Sequence, residues 1–250
     1  MTSHGMAAPR LSLVIPAYNE SALLPRLLDT VMTARARYRH GPDAVEVIVA
    51  DNGSTDDTAT IATRYGCRVV RVEPRNIGAV RNGGARAARG ELLCFVDADG
   101  RVDPDVFNVV DETLTTGKYS VGATGVMPER WSLGIFCTFV VLLPLIWVTR
   151  VDTGLIFCRR EDFNAIGGYD EKWFAAEDVV FHLAMIKAGR RRGQRPVRAA
   201  GAKGIASMRK FVKFGDWHYF TLLPHALAMM VRNGAITRMA REYWYVDERE

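Results

Sequence analysis

The chain has 250 residues, of which 48% are hydrophobic and 24% are charged, and its formal net charge is +5. This composition is typical of a globular, well-cored protein and excludes a low-complexity or fibrous chain. The mildly basic balance does not require a nucleic-acid partner, and we expect none.

The first hundred residues alternate between short apolar runs and segments with helical spacing. Strands are predicted over 11–15, 45–50, 67–72 and 91–96, and helices over 21–38, 56–65 and 76–89. Pro16 is expected to end the first strand. Strands that alternate with helices form a parallel sheet with helices on both faces. Ligands of such sheets bind at the carboxyl ends of the strands, where the polar clusters of this chain fall.

The second half is less regular. Helices are predicted over 104–114, 160–166 and 181–188, and strands over 120–127 and 151–158. Gly167-Gly168 is expected to end one of these helices, and Gly189 another. The arginines of residues 190–198 predict either a solvated face or an attraction to anionic lipid or phosphorylated substrate.

Cysteine usage and the N-terminus bear on the compartment. The four cysteines form no Cys-x-x-Cys pair, and they are predicted to be free, buried thiols in a reducing compartment. Residues 1–10 are expected to be disordered and contain no apolar signal core, so we expect a protein that is not secreted. A cytoplasmic protein is expected, either free or held peripherally at the inner face of the membrane.

Two aspartates follow the predicted fourth strand, in the tetrapeptide Asp97-Ala98-Asp99-Gly100. Carboxylates one residue apart at the end of a buried strand repel each other unless a cation shares them. Mg²⁺ and Mn²⁺ prefer hard oxygen ligands and often complete their shell with substrate phosphates. The pair therefore points to an enzyme that handles a diphosphate, although Asp-x-Asp also occurs in ordinary turns.

Two further acidic clusters are ambiguous when each is taken alone. In Asp51-Asn52-Gly53-Ser54, the glycine permits a tight turn and the serine can cap the following helix, which leaves Asp51 free for a ligand. Glu177-Asp178 precedes a helix, where the helix dipole by itself favours acidic residues.

These clusters are part of an ordered series of motifs. In order they are Pro16-Ala17-Tyr18-Asn19-Glu20, Asp51-Asn52-Gly53-Ser54, Asn76 through Arg81-Asn82-Gly83, Asp97-Ala98-Asp99, and Gly167-Gly168-Tyr169-Asp170-Glu171 followed by Glu177-Asp178. With this series, the chain resembles glycosyltransferase family 2 from about residue 11 to about residue 192. The resemblance implies the GT-A fold, an α/β architecture with a mostly parallel, Rossmann-like central sheet flanked by helices.

The resemblance also implies a domain plan. The transferase domain would cover residues 11–205, with a nucleotide-binding half at 11–100 and an acceptor half at 101–205. A basic and helical extension would follow at 206–250. The implied activity is a metal-dependent, inverting transfer of a sugar, most simply a hexose, from a nucleoside-diphosphate sugar to an acceptor hydroxyl or phosphate. An intact site argues against a catalytically silent nucleotide-sugar-binding relative, which is the alternative.

The resemblance implies nucleotide-sugar-binding roles for matching residues. Pro16, Ala17, Tyr18 and Glu20 match the loop that contacts the nucleoside. Asp51 matches the residue that bonds the base, beside Gly53 and beside Asn52, which stands where many relatives have a second aspartate. Arg81 matches a position near the nucleotide.

It also implies the metal ligands and the catalytic pair. Asp99 would bind Mg²⁺ or Mn²⁺ directly, and Asp97, beyond Ala98, would lie nearer the ribose. Asp178, preceded by Glu177, would act as general base on the acceptor. The Gly167-Gly168 loop would line the pocket for donor sugar and acceptor.

Other polar residues near the motifs remain open. His182 is expected to be a satisfied buried histidine. The basic stretch Ser207-Met208-Arg209-Lys210, with Lys213, is either a loop that closes over the diphosphate or a solvated loop.

The apolar run from Leu133 to Val148 is just under the length of a membrane span and contains Pro144. A single crossing would also separate the paired aspartates from Glu177-Asp178, which must face one site. A core helix, a dimer surface and a helix in the membrane interface beside a lipid acceptor remain open.

The sequence does not identify the base, the sugar or the acceptor, which could be lipid-linked, a glycan or a small molecule. A dinucleotide-dependent oxidoreductase is set aside, because no Gly-x-Gly-x-x-Gly follows the first strand.

Overall fold

The computed structural model describes residues 8–149, 154–173 and 177–220. Its strands are β1 (Leu11–Ala17), β2 (Val45–Asp51), β3 (Arg68–Arg71), β4 (Leu92–Phe95), β5 (Tyr119–Ala123), β6 (Val126–Pro128), β7 (Ile156–Arg159), β8 (Arg195–Arg198) and β9 (Gly204–Ala206). Its α-helices are α1 (Leu24–Ala36), α2 (Thr58–Arg64), α3 (Ile77–Ala87), α4 (Val106–Thr115), α5 (Leu133–Thr149), α6 (Arg160–Ile166), α7 (Glu177–Arg190) and α8 (Arg209–Phe214).

Seven strands form one twisted sheet in the order β3-β2-β1-β4-β7-β5-β8. The first four strands are parallel, β7 runs antiparallel to both β4 and β5, and β8 is parallel to β5. β6 and β9 pair in a separate two-stranded sheet. The predicted α/β architecture with a mostly parallel sheet is thereby confirmed.

The core lies on both faces of the sheet because β1 is buried along its whole length. Leu11, Leu13 and Ile15 pack on one face with α1. Val14 packs on the other face, with Phe95 and the aromatic side chains that surround α7. A near-continuous apolar run is what a parallel strand covered on both faces requires.

β1 runs through Pro16, where the sequence predicted an end. The Val14 carbonyl accepts a hydrogen bond from the residue after β4, and the Ala17 carbonyl accepts one from Asn52 at 2.9 Å. Because successive residues of a strand face opposite neighbours, Pro16 turns its nitrogen towards β4. β4 ends at Phe95, which pairs with Val14, so the missing N–H of proline removes no ladder bond.

The second half differs from the sequence prediction in three places. The strand predicted over 120–127 is two strands in different sheets, separated by Gly125 with φ of 70°. α7 begins at Glu177 rather than at Phe181 and continues past Gly189. β8 and β9 were not predicted, because these short strands carry basic or small residues instead of an apolar run.

Several predictions concern the ends of the chain, the cysteines and the apolar run. Residues 1–7 and 221–250 lie outside the described residues, whereas the backbone N–H of Arg10 bonds to Ala44 at 2.8 Å. All four cysteines are free, and all but Cys137 are buried. Within the described ranges, no helix has the length and apolarity needed to cross a bilayer.

Candidate active site

The loops that follow β1, β2 and β4 meet at the carboxyl edge of the sheet, as parallel strands require. The first residues of α7 and the start of α8 reach the same edge from the second half of the chain. Residues separated by more than a hundred positions therefore form one polar site.

Arg81 joins the two halves of this site. It projects from α3 and is buried, with a side chain only 4% exposed. One terminal nitrogen donates to Asp97 at 2.8 Å, and the other donates to Glu177 at 2.7 Å and lies 3.1 Å from Asp178. The guanidinium also lies over the ring of Tyr169, 5.3 Å from its centroid. The guanidinium of Arg81 thus holds Asp97, which follows β4, beside the acidic pair of α7.

The Asp178 carboxyl group has a perturbed pKa. Its pKa is raised to about 7. Burial is the largest cause and the charges of Glu177 and Asp97 add to it, whereas the charge of Arg81 opposes the rise. Near-neutral titration suits a group that must accept a proton at physiological pH. His182, one turn along α7, has its pKa lowered to about 4 by burial, and its Nδ1 lies 3.2 Å from the Asp178 carbonyl oxygen. The neutral, buried state of His182 agrees with the expectation of a satisfied histidine.

A second ion cluster lies at the end of β1. Arg209, on α8, contacts both oxygens of Glu20 at 3.2 Å, and its Nη2 lies 3.7 Å from Asp99. Burial raises the pKa of Glu20 to about 7, and it also raises that of Asp99, with a further contribution from Asp97. Burial lowers the pKa of the neighbouring Lys210 to about 8. For this stretch the sequence allows either a loop that closes over the diphosphate or a solvated loop, and its Arg209 and Lys210 lie against the carboxylates of the site.

Asp97 and Asp99 fit a magnesium or manganese ion that is shared with a ligand. Burial, and after it the charge of Asp97, raise the pKa of Asp99, so a bound cation would favour the ionised form of the pair. Within the described ranges, no group of three or more His, Cys, Asp or Glu side chains could hold a metal alone. Two carboxylates suffice for Mg²⁺ when substrate phosphates supply the remaining oxygens.

The loops after β1 and β2 are locked together. Asp51 accepts a hydrogen bond from the Ser54 amide at 3.1 Å, and the Asn19 side chain accepts one from the Thr55 amide at 2.8 Å. Asn19 adopts φ of 49° and Gly53 φ of 77°, the left-handed conformations that these turns need. Arg75 covers the partly exposed ring of Tyr18, 4.9 Å from its centroid. These contacts give the predicted nucleoside loops a fixed shape.

Six of the predicted binding residues are buried, namely Pro16, Ala17, Asp51, Asn52, Arg81 and Ala98. Pro16, Ala17 and Ala98 are buried at the ends of β1 and β4, so only their backbone could meet a ligand. The Asn52 amide donates to the carbonyls of Val72 and Pro74 at 2.7 and 2.9 Å, which fastens the loop after β3.

The loop that contains Gly167 and Gly168 is held by α3, a role that the sequence alone did not reveal. The Asn82 amide donates to the Tyr169 carbonyl at 2.9 Å and to the Glu171 carboxylate at 2.8 Å, and its oxygen accepts from the Tyr169 amide at 2.8 Å. Asn76 caps α3 and donates to the carbonyl of Glu171 at 3.0 Å. Both asparagines occur in the third motif, which gave no indication of their partners.

Comparison with known proteins gives a family match and related sequences. Residues 12–131 match the family model described as Glycosyl transferase family 2. Validoxylamine A glucosyltransferase of Streptomyces hygroscopicus subsp. limoneus is 43% identical over 102 residues, which are 38% of this chain and 21% of that protein. A dolichyl-phosphate beta-glucosyltransferase of Trichomonas vaginalis is 37% identical over 109 residues, which are 40% of this chain and 32% of that protein. The chain thus spans a third or less of the length of these two relatives.

The fold has solved counterparts. A mannosyltransferase from Pyrobaculum calidifontis, in complex with GDP-Man and Mn²⁺, superposes with a TM-score of 0.66 at 19% identity, over 97% of this chain and 71% of that one. The likeness confirms the GT-A fold. The match over residues 12–131 and the related glucosyltransferases make this part of the chain similar to glycosyl transferase family 2.

Proposed function

We propose that the protein is a metal-dependent, inverting glycosyltransferase that uses a nucleoside-diphosphate sugar. The observation that carries the proposal is the buried Arg81, which holds Asp97 at the donor side within one ion cluster with Glu177 and Asp178. A purely structural ion pair would not need three carboxylates around one guanidinium at the ligand-binding edge of a sheet.

The donor would bind across the loops after β1, β2 and β4. Asp51 would bond the base, and Tyr18 and Glu20 would border the nucleoside. Asp99 and Asp97 would hold a divalent ion against the diphosphate, where the ion offsets negative charge on the leaving group. The Mn²⁺ and GDP-Man of the Pyrobaculum mannosyltransferase support this arrangement.

Asp178 would act as the general base. It would take the proton from an acceptor hydroxyl while that oxygen bonds to the anomeric carbon and the carbon–phosphate-oxygen bond breaks. A pKa of about 7 leaves a substantial ionised fraction near neutrality and a useful basicity. Attack from the face opposite the diphosphate inverts the anomeric centre.

The acceptor is proposed only as a class: a hydroxyl or phosphate on a lipid carrier, a glycan or a small molecule. The names of the two relatives include dolichyl-phosphate and validoxylamine A, and these two acceptors should be assayed first.

The test is a donor screen followed by a transfer assay. UDP-, GDP-, CDP- and dTDP-sugars are screened by thermal shift with Mn²⁺, and release of nucleoside diphosphate is then measured with acceptor, with and without EDTA. We expect EDTA and Asp99→Asn each to lower release by about 100-fold or more, and Asp178→Asn to lower transfer by about 1,000-fold while donor binding persists.

The matched control is Glu112→Gln, a change of an exposed carboxylate on α4, 3.0 Å from Arg39. It should leave transfer unchanged. Full activity in Asp99→Asn would contradict the metal site. Donor binding with no turnover over a broad acceptor panel would favour a silent binding protein instead.

A further inference from the structure

α5 exposes a continuous apolar face. Leu133, Phe136, Val140 and Leu143 are between 47% and 70% exposed. Their spacing of three, four and three residues places them on one side of the helix. The opposite side, with Ile135 and Thr138, is buried. Water-soluble surfaces rarely expose four large apolar side chains in a row, so this face calls for a partner.

α8 and the segment after it extend this face. Ile135 of α5 packs with the buried Met208 and Phe211 of the α8 region. A β-carbon on Gly134 would lie 2.5 Å from the Asp216 carbonyl oxygen, so the two segments touch along their backbones. The exposed side chains of Val212, Phe214 and Trp217 therefore adjoin α5, and we call the combined surface the apolar platform.

Two tryptophan side chains lie near the same end of the contact between the two segments, because their chain neighbours Arg130 and Asp216 are paired. Trp131, just before α5, is 56% exposed and lies 6.4 Å from the ring of Phe136, and Trp217 is 49% exposed. Tryptophan is enriched where apolar and polar phases meet, because its ring is largely apolar and its N–H seeks a polar partner. This end of the platform thus has the chemistry of a membrane interface.

The net charge of the platform is positive. The seventeen residues of α5 include no acidic or basic side chain. α8 has three basic residues and no acidic one, and its Lys213 is exposed between Val212 and Phe214. The nearby Asp216 is neutralised by Arg130, whose Nη1 donates to it at 3.1 Å. A partner that complements this surface needs an apolar interior for the exposed hydrophobic side chains and an anionic boundary for the basic one.

We propose that the apolar platform docks the protein onto the surface of a bilayer that contains anionic lipid. α5 lies in the plane of the interface with its exposed face among the acyl chains, and Lys213 of α8 meets lipid phosphates. A second copy of the chain is a poorer occupant, because the platform's carboxylate, Asp216, is already paired with Arg130, so a two-fold interface would give Lys213 of either copy no unpaired acidic partner there.

Docking by this surface fixes where the active-site edge lies. Arg209 begins α8 and contacts Glu20 at 3.2 Å, so the carboxylates at that edge lie within one helix of the platform. The edge therefore opens at the level of the lipid head groups. If the proposed transferase activity holds, a lipid-linked acceptor is the substrate class that this geometry favours. The docking itself does not depend on that activity.

The test is binding of the full chain to vesicles without any nucleotide sugar, so its outcome is independent of the transferase proposal. Flotation is compared for phosphatidylcholine vesicles and for phosphatidylcholine vesicles that contain phosphatidylglycerol. We expect binding to the anionic vesicles that weakens in high salt. Leu133→Gln/Phe136→Gln/Val140→Gln should lower the affinity by about tenfold or more, because three apolar anchors are lost.

Two matched controls keep the result specific. Leu183→Gln changes an exposed leucine of α7 outside the platform and should bind as the wild type does. Lys213→Gln should weaken binding to anionic vesicles by about fivefold, whereas Lys118→Gln, at the start of β5, should not. Circular dichroism verifies that the triple variant folds, which the exposure of all three positions favours.

Three outcomes would overturn the proposal. The first is a wild-type chain that ignores anionic vesicles. The second is a folded triple variant that binds them with wild-type affinity. The third is a wild-type dimer that binds no vesicle and becomes a monomer in the triple variant, which would make the platform an interface between copies.

Discussion

Arg81 carries one positive charge against three carboxylates. Asp97, Glu177 and Asp178 all lie within 3.1 Å of its guanidinium. The cluster has an excess of negative charge around a buried guanidinium, so one carboxyl group retains a proton at higher pH than usual. Asp178 is the carboxyl group that retains the proton, since its pKa is raised to about 7.

The pH dependence of transfer should follow Asp178. The base acts only when ionised, so lowering the pH below about 7 protonates it and lowers kcat by about tenfold per pH unit. Above that pH, kcat should reach a plateau. The measurement is kcat at saturating donor, metal and acceptor from pH 5 to 9, because saturation suppresses the titration of groups that only bind the donor.

Asp178→Asn provides the control for this profile. Its residual rate should be flat across the same pH range, since the amide does not titrate. An acidic limb that survives in Asp178→Asn would show that another group, such as Glu20, limits the rate.

Alanine substitutions at Gly167 and Gly168 distinguish the cost of backbone strain from the cost of steric crowding. Both have φ near 80°, which an alanine tolerates poorly. A β-carbon at Gly167 would meet nothing within 4 Å, whereas one at Gly168 would lie 2.5 Å from Asn82 Oδ1 and 2.9 Å from Phe163. We expect Gly167→Ala to lower the free energy of unfolding by about 1 kcal/mol and Gly168→Ala by about 3 kcal/mol. Equal losses in urea denaturation would contradict the contact with Asn82.

At the level of elements, α3 organises the site from beneath. Its Asn76, Arg81 and Asn82 point to the loop before α7 or to the acidic cluster, so one helix sets the position of the donor edge and of the base. A helix packed closely on β1 and β2 is a rigid support, which catalytic geometry needs.

Asn82→Ala should loosen that support. It leaves the buried amide and carbonyl of Tyr169 unpaired, and we expect a loss of about 2 to 3 kcal/mol in unfolding free energy. Hydrogen exchange should rise in residues 167–173. Asn108→Ala is the control, because Asn108 also makes two backbone hydrogen bonds, to Arg37 and Arg39, but at an exposed site. It should lose about 1 kcal/mol or less, with no change in exchange at 167–173.

The sequence predicted the elements whose signals are local. β1 to β4 are apolar runs, and α1 follows from buried side chains at helical spacing, with Pro25 in its first turn. The strand predicted over 120–127 was wrong because its apolar pattern continues through Gly125, while the separation into two sheets depends on pairing with β7 and β9. Pairing of distant segments is not encoded in local periodicity.

The same distinction applies to the site. The aspartates after β4 and the acidic pair of α7 could be predicted as separate motifs, because each has a spacing that chemistry requires. Arg81 links them: it is separated by 16 positions from Asp97 and by 96 positions from Glu177. Arg209 and Glu20 are 189 positions apart. Such contacts arise from the folded topology, and their assigned roles in binding and catalysis remain predictions.

For the molecule as a whole, the cysteines report on the integrity of the central sheet. Cys94 lies on β4 and Cys158 on β7, two adjacent antiparallel strands, and both side chains are fully buried. Burial raises the pKa of both thiols, and it raises that of Cys67 to about 11. Cys137, on α5, is only partly buried. Thiolate formation and access are therefore both suppressed at three of the four positions.

Thiol labelling should accordingly distinguish local from global opening. At pH 8 in native buffer, we expect an aromatic disulfide reagent to label Cys137 alone on the timescale of minutes, and all four thiols to react in guanidinium chloride. Cys137→Ser should remove the fast phase and leave the slow phase unchanged. Cys94 and Cys158 become accessible only when the central strands separate. The free energy of opening obtained from their labelling rates should therefore equal the global free energy of unfolding measured by circular dichroism. A second thiol that reacts as fast as Cys137 in the folded protein would show that the sheet opens locally at that strand, contrary to a continuous core on both of its faces.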